Sequence, residues 1–540
     1  MNFYAYKNNF LEFIDSRKKN IYLLFFLTLS YSYLFGQKEP PRDTAKVTPI
    51  DSIMPGKGSP EKQLKEIKTK KVKQLSDSTG NQPKNSILVD TTIQNKYGDL
   101  LNDDTTYNRK SKIWRPILEL TGTNMLVWGV DKFVLKADYA QISLATWNYN
   151  FKNGWEWDKD RFGINFIGHP YSGTLSFNAG RANGYNYLQS FSFSAAGSLM
   201  WEYLGENSRP SYNDIINTPV NGAFLGEILY RLSSNILDDR TRGSTRFFRE
   251  LVAGLIDPMR GFNRLLQGKS FRRTNKEVYQ KEPLNVSLYA GLHIINNETN
   301  NAFGSGTKST MFNIQFDYGN PFEDRFRKPF DFFKLRTELT FGVGRKILGN
   351  VTGYGILFGK NVSYGKHSIL FGAFQYDDYW DNKTFELGAI AFGGGVFSKL
   401  PLSKTFTLYT NIHLAAIPFA GSSTKFGPDT SQVRDYNFGG GLEAKFESTI
   451  NIGKYATASL IYYYYFIHTY EGLSGDNFIG ILKPRVTVAL FKNLSIGFEH
   501  YVYYNDRYLK DFPSIHLVRT EQKIFLQIYL EDKQRRGHYN

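Results

Sequence analysis

The chain has 540 residues, 41% of them hydrophobic and 16% aromatic, with 36 Tyr, 44 Phe, 48 Gly and no Cys; its mean hydropathy is negative. This composition excludes a bundle of apolar membrane helices, a disulfide framework and thiolate chemistry, and it suits strands that face two different solvents. The formal net charge of +16 is spread along the sequence, which fits a solvated surface or an anionic membrane better than nucleic acid.

Arg17, Lys18 and Lys19 precede an apolar run from Ile21 to Phe35, and Gly36 leads into polar, proline-rich sequence. That order predicts a secretory signal over residues 1–36. The run is shorter than the roughly 20 apolar residues that span a bilayer, so cleavage near Gly36 is expected rather than a retained anchor. Residues 37–112 are polar and poor in aromatics, with a basic run from Lys68 to Lys73. Such sequence buries too little apolar surface to offset its ordering entropy, and predicts a disordered periplasmic tether.

Residues 113–270 read as a helical domain, with one or two strands as an alternative. Pro116 opens a helix that continues through Leu135. Ser190, Ser194, Ser198 and Glu202 fall at every fourth position and would share one close-packing helix face; the local SFSFSA alternation leaves a strand open there. Thr218 and Pro219 predict an N-cap and first position of a helix running to about Leu237, with Gly222 and Gly226 four apart and Glu227 placed to pair with Arg231. Ser244 starts a further helix, which Asp257-Pro258 interrupts before Gly268 closes it.

From residue 271 to 532 the pattern changes to period-two alternation. Leu335, Thr337, Leu339 and Phe341 alternate with Arg336 and Glu338; Ala444, Phe446, Ile450 and Ile452 alternate with Glu443, Lys445, Glu447 and Asn451. One face suits lipid and the other water. A closed sheet leaves no unpaired backbone group in hydrocarbon, so about 12 such strands predict a transmembrane antiparallel β-barrel. Strands are expected to begin near Val286, Met311, Phe333, Val351, Lys366, Lys383, Lys404, Arg434, Lys454, Asp476, Asn493 and Ser514. Short links such as YGK, NIGK and FKN alternate with longer polar stretches, as periplasmic turns alternate with extracellular loops. Tyr462 to Phe466 reads as an aromatic girdle. The glycine triplets at Gly393 to Gly395 and Gly439 to Gly441 suggest bends in strands rather than phosphate cradles. Residues 533–540 form a charged tail, and its position after Tyr529 and Leu530 departs from the usual barrel ending on an aromatic strand.

The strings HPYSG, GRANG, WEYLGE, SYNDIINTP and GEILYRLS, spread over roughly Trp147 to Asp239, resemble an uncharacterised domain family of Gram-negative, notably Bacteroidota, outer-membrane proteins. The matching positions are His169, Gly173, Arg181, Gly184, Trp201, Glu202, Asp214, Gly222, Gly226, Glu227 and Arg231. The resemblance implies a location in the cell outer membrane and transfers no activity.

A His with two or three carboxylates can activate water or hold a divalent ion, and Arg181 or Arg231 can hold a phosphate or carboxylate. HExxH, HxH, GxSxG and Walker A strings are absent, and no cofactor or metal is expected. Each residue also has a plainer reading: Asp214 caps a turn with Ser211, and Glu227 pairs with Arg231. Two function classes stay open. The first is a non-enzymatic barrel of envelope structure, assembly or transport, whose helical segment plugs the lumen or docks at its periplasmic mouth. The charged inner face of Arg336, Glu338, Glu443, Lys445, Glu447 and Arg485 motivates it. The second is an outer-membrane lipid-modifying hydrolase or transferase using the His169, Glu202, Asp214 and Glu227 cluster. The expected partners are outer-membrane lipids and not nucleic acid.

Overall fold

The computed structural model describes residues 110–531 apart from 276, 297–302, 304–305, 326, 343–346, 383 and 424–435. The expected signal, nearly all of the expected tether and the charged tail lie outside the described residues. Twelve antiparallel strands close into a barrel in which each strand pairs with its sequence neighbours and β1 pairs with β12. They are β1 (Leu284–Ile295), β2 (Thr307–Tyr318), β3 (Phe333–Phe341), β4 (Leu348–Tyr364), β5 (His367–Asp381), β6 (Glu386–Pro401), β7 (Phe406–Ser423), β8 (Tyr436–Ile452), β9 (Ala456–Glu471), β10 (Gly475–Phe491), β11 (Leu494–Leu509) and β12 (Ile515–Leu530). The barrel removes every open sheet edge, which answers the backbone requirement of a strand in hydrocarbon. Val286 pairs with Leu530, so the barrel begins and ends at one rim. At that rim the links 365–366, 402–405, 453–455 and 492–493 are short, whereas the opposite rim carries 296–306 and 424–435. The link 319–332 breaks this rhythm. It folds back on the barrel, with Arg327 donating to Asn361 and to the carbonyls of Asn320 and Glu323.

Alternation decides which side chains fill the lumen. Arg336 stands opposite Gln315 and Glu338 opposite Asn313, and all four point inward with Lys445, Glu447 and Lys523. Bonds between strands that are not neighbours establish the inward direction. Arg336 on β3 reaches Glu447 on β8 at 3.2 Å, Lys445 on β8 reaches Asp378 on β5 at 2.5 Å, and Lys523 on β12 reaches Glu338 on β3 at 2.6 Å. Arg485 pairs with Glu499 nearby. Around these ion pairs lies an apolar and aromatic filling that includes Phe332, Tyr354, Phe374, Tyr376, Tyr465 and Tyr503. Two of the five expected girdle residues therefore turn inward: Tyr463 and Tyr465 are buried in the lumen.

Among the described residues, seven helices precede the barrel: α1 (Trp114–Gly129, continued by a π turn over Val130–Leu135), α2 (Leu144–Lys152), α3 (His169–Ala182, entered through a π turn over Ile164–Gly168), α4 (Tyr187–Leu204), α5 (Tyr212–Ile236), α6 (Gly243–Ile256) and α7 (Pro258–Leu266). The serine stripe is helical, and Ser190, Ser194, Ser198 and Glu202 are all buried on α4. The α5 helix starts seven residues before Pro219, which lies inside it rather than at its first position. Asp257 caps α7 by accepting from the Arg260 amide at 3.0 Å, and Gly268 has φ +67° after it.

The helices dock on the outer wall of the barrel. The expectation that the helical segment plugs or docks on the barrel is met by docking, and the docking is on the outer wall rather than in the lumen or at its mouth. Phe224, Ile228 and Leu232 of α5 pack on Tyr318, Phe333 and Leu335, which point away from the lumen. Phe162 and Phe166 pack on Tyr379, Ile390, Phe419, Tyr436 and Phe438, again outward residues. The reason is spatial: the lumen is already filled by the barrel's own side chains. The wall, in turn, is cut to receive the helices, because a Cβ on Gly388 or Gly421 would fall on the Phe166 ring. Gln375, an outward residue, accepts from Tyr187 at 2.7 Å and donates to the Val220 carbonyl at 3.0 Å.

Candidate functional site

The α3 and α5 helices touch backbone to backbone. A Cβ on Gly173 would overlap the Thr218 carbonyl, and one on Gly222 would come within 2.5 Å of the Gly173 carbonyl carbon. This contact sets the N-terminal ends of α3 and α5 side by side, with the C-terminal end of α4 beside them; Ser194 donates to the Gly173 carbonyl and Ser198 to the Asp214 carbonyl. Three of the four candidate groups meet there. His169 Nε2 lies 3.5 Å from Asp214 Oδ1 and 3.6 Å from Asp160 Oδ2, within ion-pair range and long for a hydrogen bond. Glu202 accepts from the Ser211 amide at 2.7 Å.

The surrounding polar shell holds these groups in place. Asn213 donates to Asp214 at 2.9 Å and to Asn165 at 3.1 Å, while Asn165 donates to Asp158 at 3.0 Å and to the Tyr436 hydroxyl of the barrel at 2.5 Å. Tyr436 in turn donates to the Asp160 carbonyl at 2.7 Å. Glu206 accepts from Trp201 and Ser208. Asp158, Asp160 and Glu206, which the motif reading did not name, thus join His169, Glu202 and Asp214. Their signal was present in WEWDKD and WEYLGE, where acids follow tryptophan within a few residues. Buried carboxylates this close resist joint ionisation. Burial, then the charge of Asp160, pushes the Asp158 carboxyl above its ordinary range, and the same two causes push Glu206 up to about 7.

The ligand atoms of Asp158, Asp160 and His169 lie within 4.8 Å of one another, close enough to share a divalent ion. A second such trio, His293, Glu338 and Glu521, lies in the lumen, where Lys523 already stands 2.6 Å from Glu338.

Glu227 belongs elsewhere. It is fully buried and accepts from Arg181 at 2.6 and 3.0 Å and from Arg231 at 2.8 Å. Arg231 continues to Asp331 at 3.2 Å and to the Pro329 carbonyl at 2.6 Å, which ties α5 to the link before β3. The Arg181 and Arg260 guanidiniums both lie over the Tyr230 ring, at 4.3 and 4.1 Å. The four-member cluster is thereby corrected to three of its members, and the proposed ligand-binding arginines are engaged with Glu227.

Comparison with solved structures finds low-identity likeness confined to barrel form. The outer-membrane channel DcaP of Acinetobacter baumannii is 8% identical with a TM-score of 0.21, covering 46% of this chain and 96% of its own. The NanC porin is 9% identical with a TM-score of 0.26, covering 46% and 100%. The toluene transporter TodX of Pseudomonas putida is 6% identical with a TM-score of 0.21, covering 47% and 90%. No curated protein matches the sequence. The match that bears on the helices is to a family model: residues 154–259, which span both clusters, are recognised as a domain of unknown function, DUF3943.

Proposed function

We propose that the protein is an integral outer-membrane protein whose barrel is a closed scaffold for the helical domain, with a role in envelope structure or assembly rather than in conduction or catalysis. The observation that carries this reading is the set of ion pairs across the lumen, Arg336 to Glu447, Lys445 to Asp378 and Lys523 to Glu338. Removing either partner of such a pair leaves a charge in a filled interior, so the pairs hold the lumen shut and fix opposite walls to one another. The outward faces of β11 and β12, with Ile496, Phe498, Ile524, Leu526 and Ile528 exposed, have the chemistry of a lipid-facing wall. The rim with short links is the periplasmic one on the loop-length rule. Purified protein in planar bilayers is expected to remain silent at physiological potentials. Discrete conductance steps from the wild-type chain would replace the scaffold reading with a channel.

One observation favours a second reading, a hydrolase or transferase acting on outer-membrane lipid. His169 faces two carboxylates in a partly buried polar pocket, with Glu202 close behind; against the effect of burial, the carboxylates push the imidazole pKa up to about 9, and this arrangement suits a proton-donating group and its orienting partners. Mass spectrometry of outer-membrane lipids decides between the two. A lipid species lost on deletion and restored by wild type but not by well-expressed His169→Ala would establish the enzyme, whereas an unchanged profile leaves the scaffold.

A further inference from the structure

The helical domain buries many polar side chains and exposes many apolar ones. Beside Leu120, Leu175, Phe177 and Phe193, its interior holds Asn178, Ser194, Asn217, Asn221, Glu227 and Arg231, all buried, while large apolar side chains on several helices point outward. The α4 helix states the case within one element. Ser190, Ser194, Gly197, Ser198 and Glu202 face the domain interior, and Leu188 and Leu199 face out. The α1 helix repeats it, with Asn124 buried and donating to the Gly197 carbonyl at 3.0 Å while Leu118 and Met125 are exposed. Burying the polar face and exposing the apolar one is costly in water and favourable in hydrocarbon. Backbone contact through Gly173 and Gly222, with serine bonds between helices, is also how helices associate where lipid removes the hydrophobic drive.

The barrel offers a comparison. Where helices cover its outer wall, Gln375, Asp377, Gly388 and Gly421 interrupt an otherwise aromatic and aliphatic surface; where they do not, the β11 and β12 wall carries Ile496, Phe498, Ile524, Leu526 and Ile528. The outward faces of α1 and α4 match the uncovered wall in chemistry, and the helices lie directly against that barrel.

We infer that the helical domain is immersed in the bilayer beside the barrel, with lipid acyl chains as the occupant of its outward apolar face. The inference rests on the reading of the barrel as a membrane protein. No described helix is long and apolar enough to cross a membrane alone, because the apolar residues lie on one face only. The domain enters hydrocarbon as a packed body whose polar groups are turned inward, against one another and the wall.

The sequence contains no Cys, so single labelling sites need no background changes. Nitroxides on Leu118→Cys, Leu199→Cys and, as barrel control, Ile524→Cys, whose parent residues are 60%, 40% and 59% exposed, are compared in liposomes by their collisions with oxygen and with a polar nickel chelate. Oxygen is expected to dominate at all three. Chelate access at Leu118 and Leu199 with oxygen dominating at Ile524 would overturn the immersion of the helices and leave the barrel reading intact. Exclusion of both reagents at the helical sites would overturn it too, in favour of a protein occupant such as a second copy. Chelate access at Ile524 would instead sink the membrane reading of the barrel itself.

Discussion

Glu227→Ala is expected to destabilise the helical domain by about 3 kcal/mol, because it removes the buried carboxylate that the Arg181 and Arg231 guanidiniums share. Glu227 receives Arg181 from α3 and Arg231 from its own helix, and Arg231 carries the network to Asp331 beside β3. The loss therefore falls on the docking of the helices as well as on their packing. Six of the seven tryptophans lie between Trp114 and Trp201, and the seventh, Trp380, lies in the lumen. Urea titration followed by tryptophan emission thus reports chiefly on the helical domain. An unchanged midpoint in Glu227→Ala would show that the network contributes nothing to holding the domain.

Gly222→Leu is expected to separate α3 from α5. The new side chain would have to occupy space held by the Gly173 backbone. Ordinary overpacking costs about 1–3 kcal/mol because neighbouring side chains can turn aside; here the neighbour is main chain, so the cost exceeds that range. The domain should become protease-sensitive while the barrel keeps its folded, heat-modifiable migration in gels. Gly122→Leu is the matched control, since a Cβ there meets nothing within 4 Å. Equal protease resistance in the two variants would contradict the close approach.

The barrel was legible in the sequence because its signal is a repeated choice between two faces. Arg336 and Glu338 could only point inward, and each expected strand start falls within about four residues of its observed one. The outward pattern could not say what covers it. Leu335 reads as a lipid-facing residue and is in fact packed against helices, since acyl chains and an apolar helix face ask the same chemistry of a wall. Only breaks in the pattern, Gln375 and Asp377, marked the covered region.

Within the helical segment, the serine stripe of α4 was readable because small residues at every fourth position describe one helix face. Pro219 misplaced the start of α5, since a proline after threonine reads as a first position, yet Tyr212 to Thr218 already form helix before it. The glycine- and serine-rich α3 carried no apolar period to announce it, and its helicity is supported by packing against α4 and α5. Motif order also could not separate the two clusters. Glu227 follows Asp214 by 13 residues of one helix, roughly 20 Å along its axis, so the two carboxylates cannot share a site.

The most direct test of the arrangement places a photoreactive benzoylphenylalanine at Phe419, which stacks on Trp157 and Phe166 from the outer wall, and separately at Tyr465 in the lumen. After irradiation in membranes, the probe at Phe419 is expected to crosslink to the peptide containing residues 157–166, and the probe at Tyr465 to barrel strands alone. Crosslinks from Tyr465 to the helices, with only lipid adducts at Phe419, would place the helical domain inside the barrel and contradict the account.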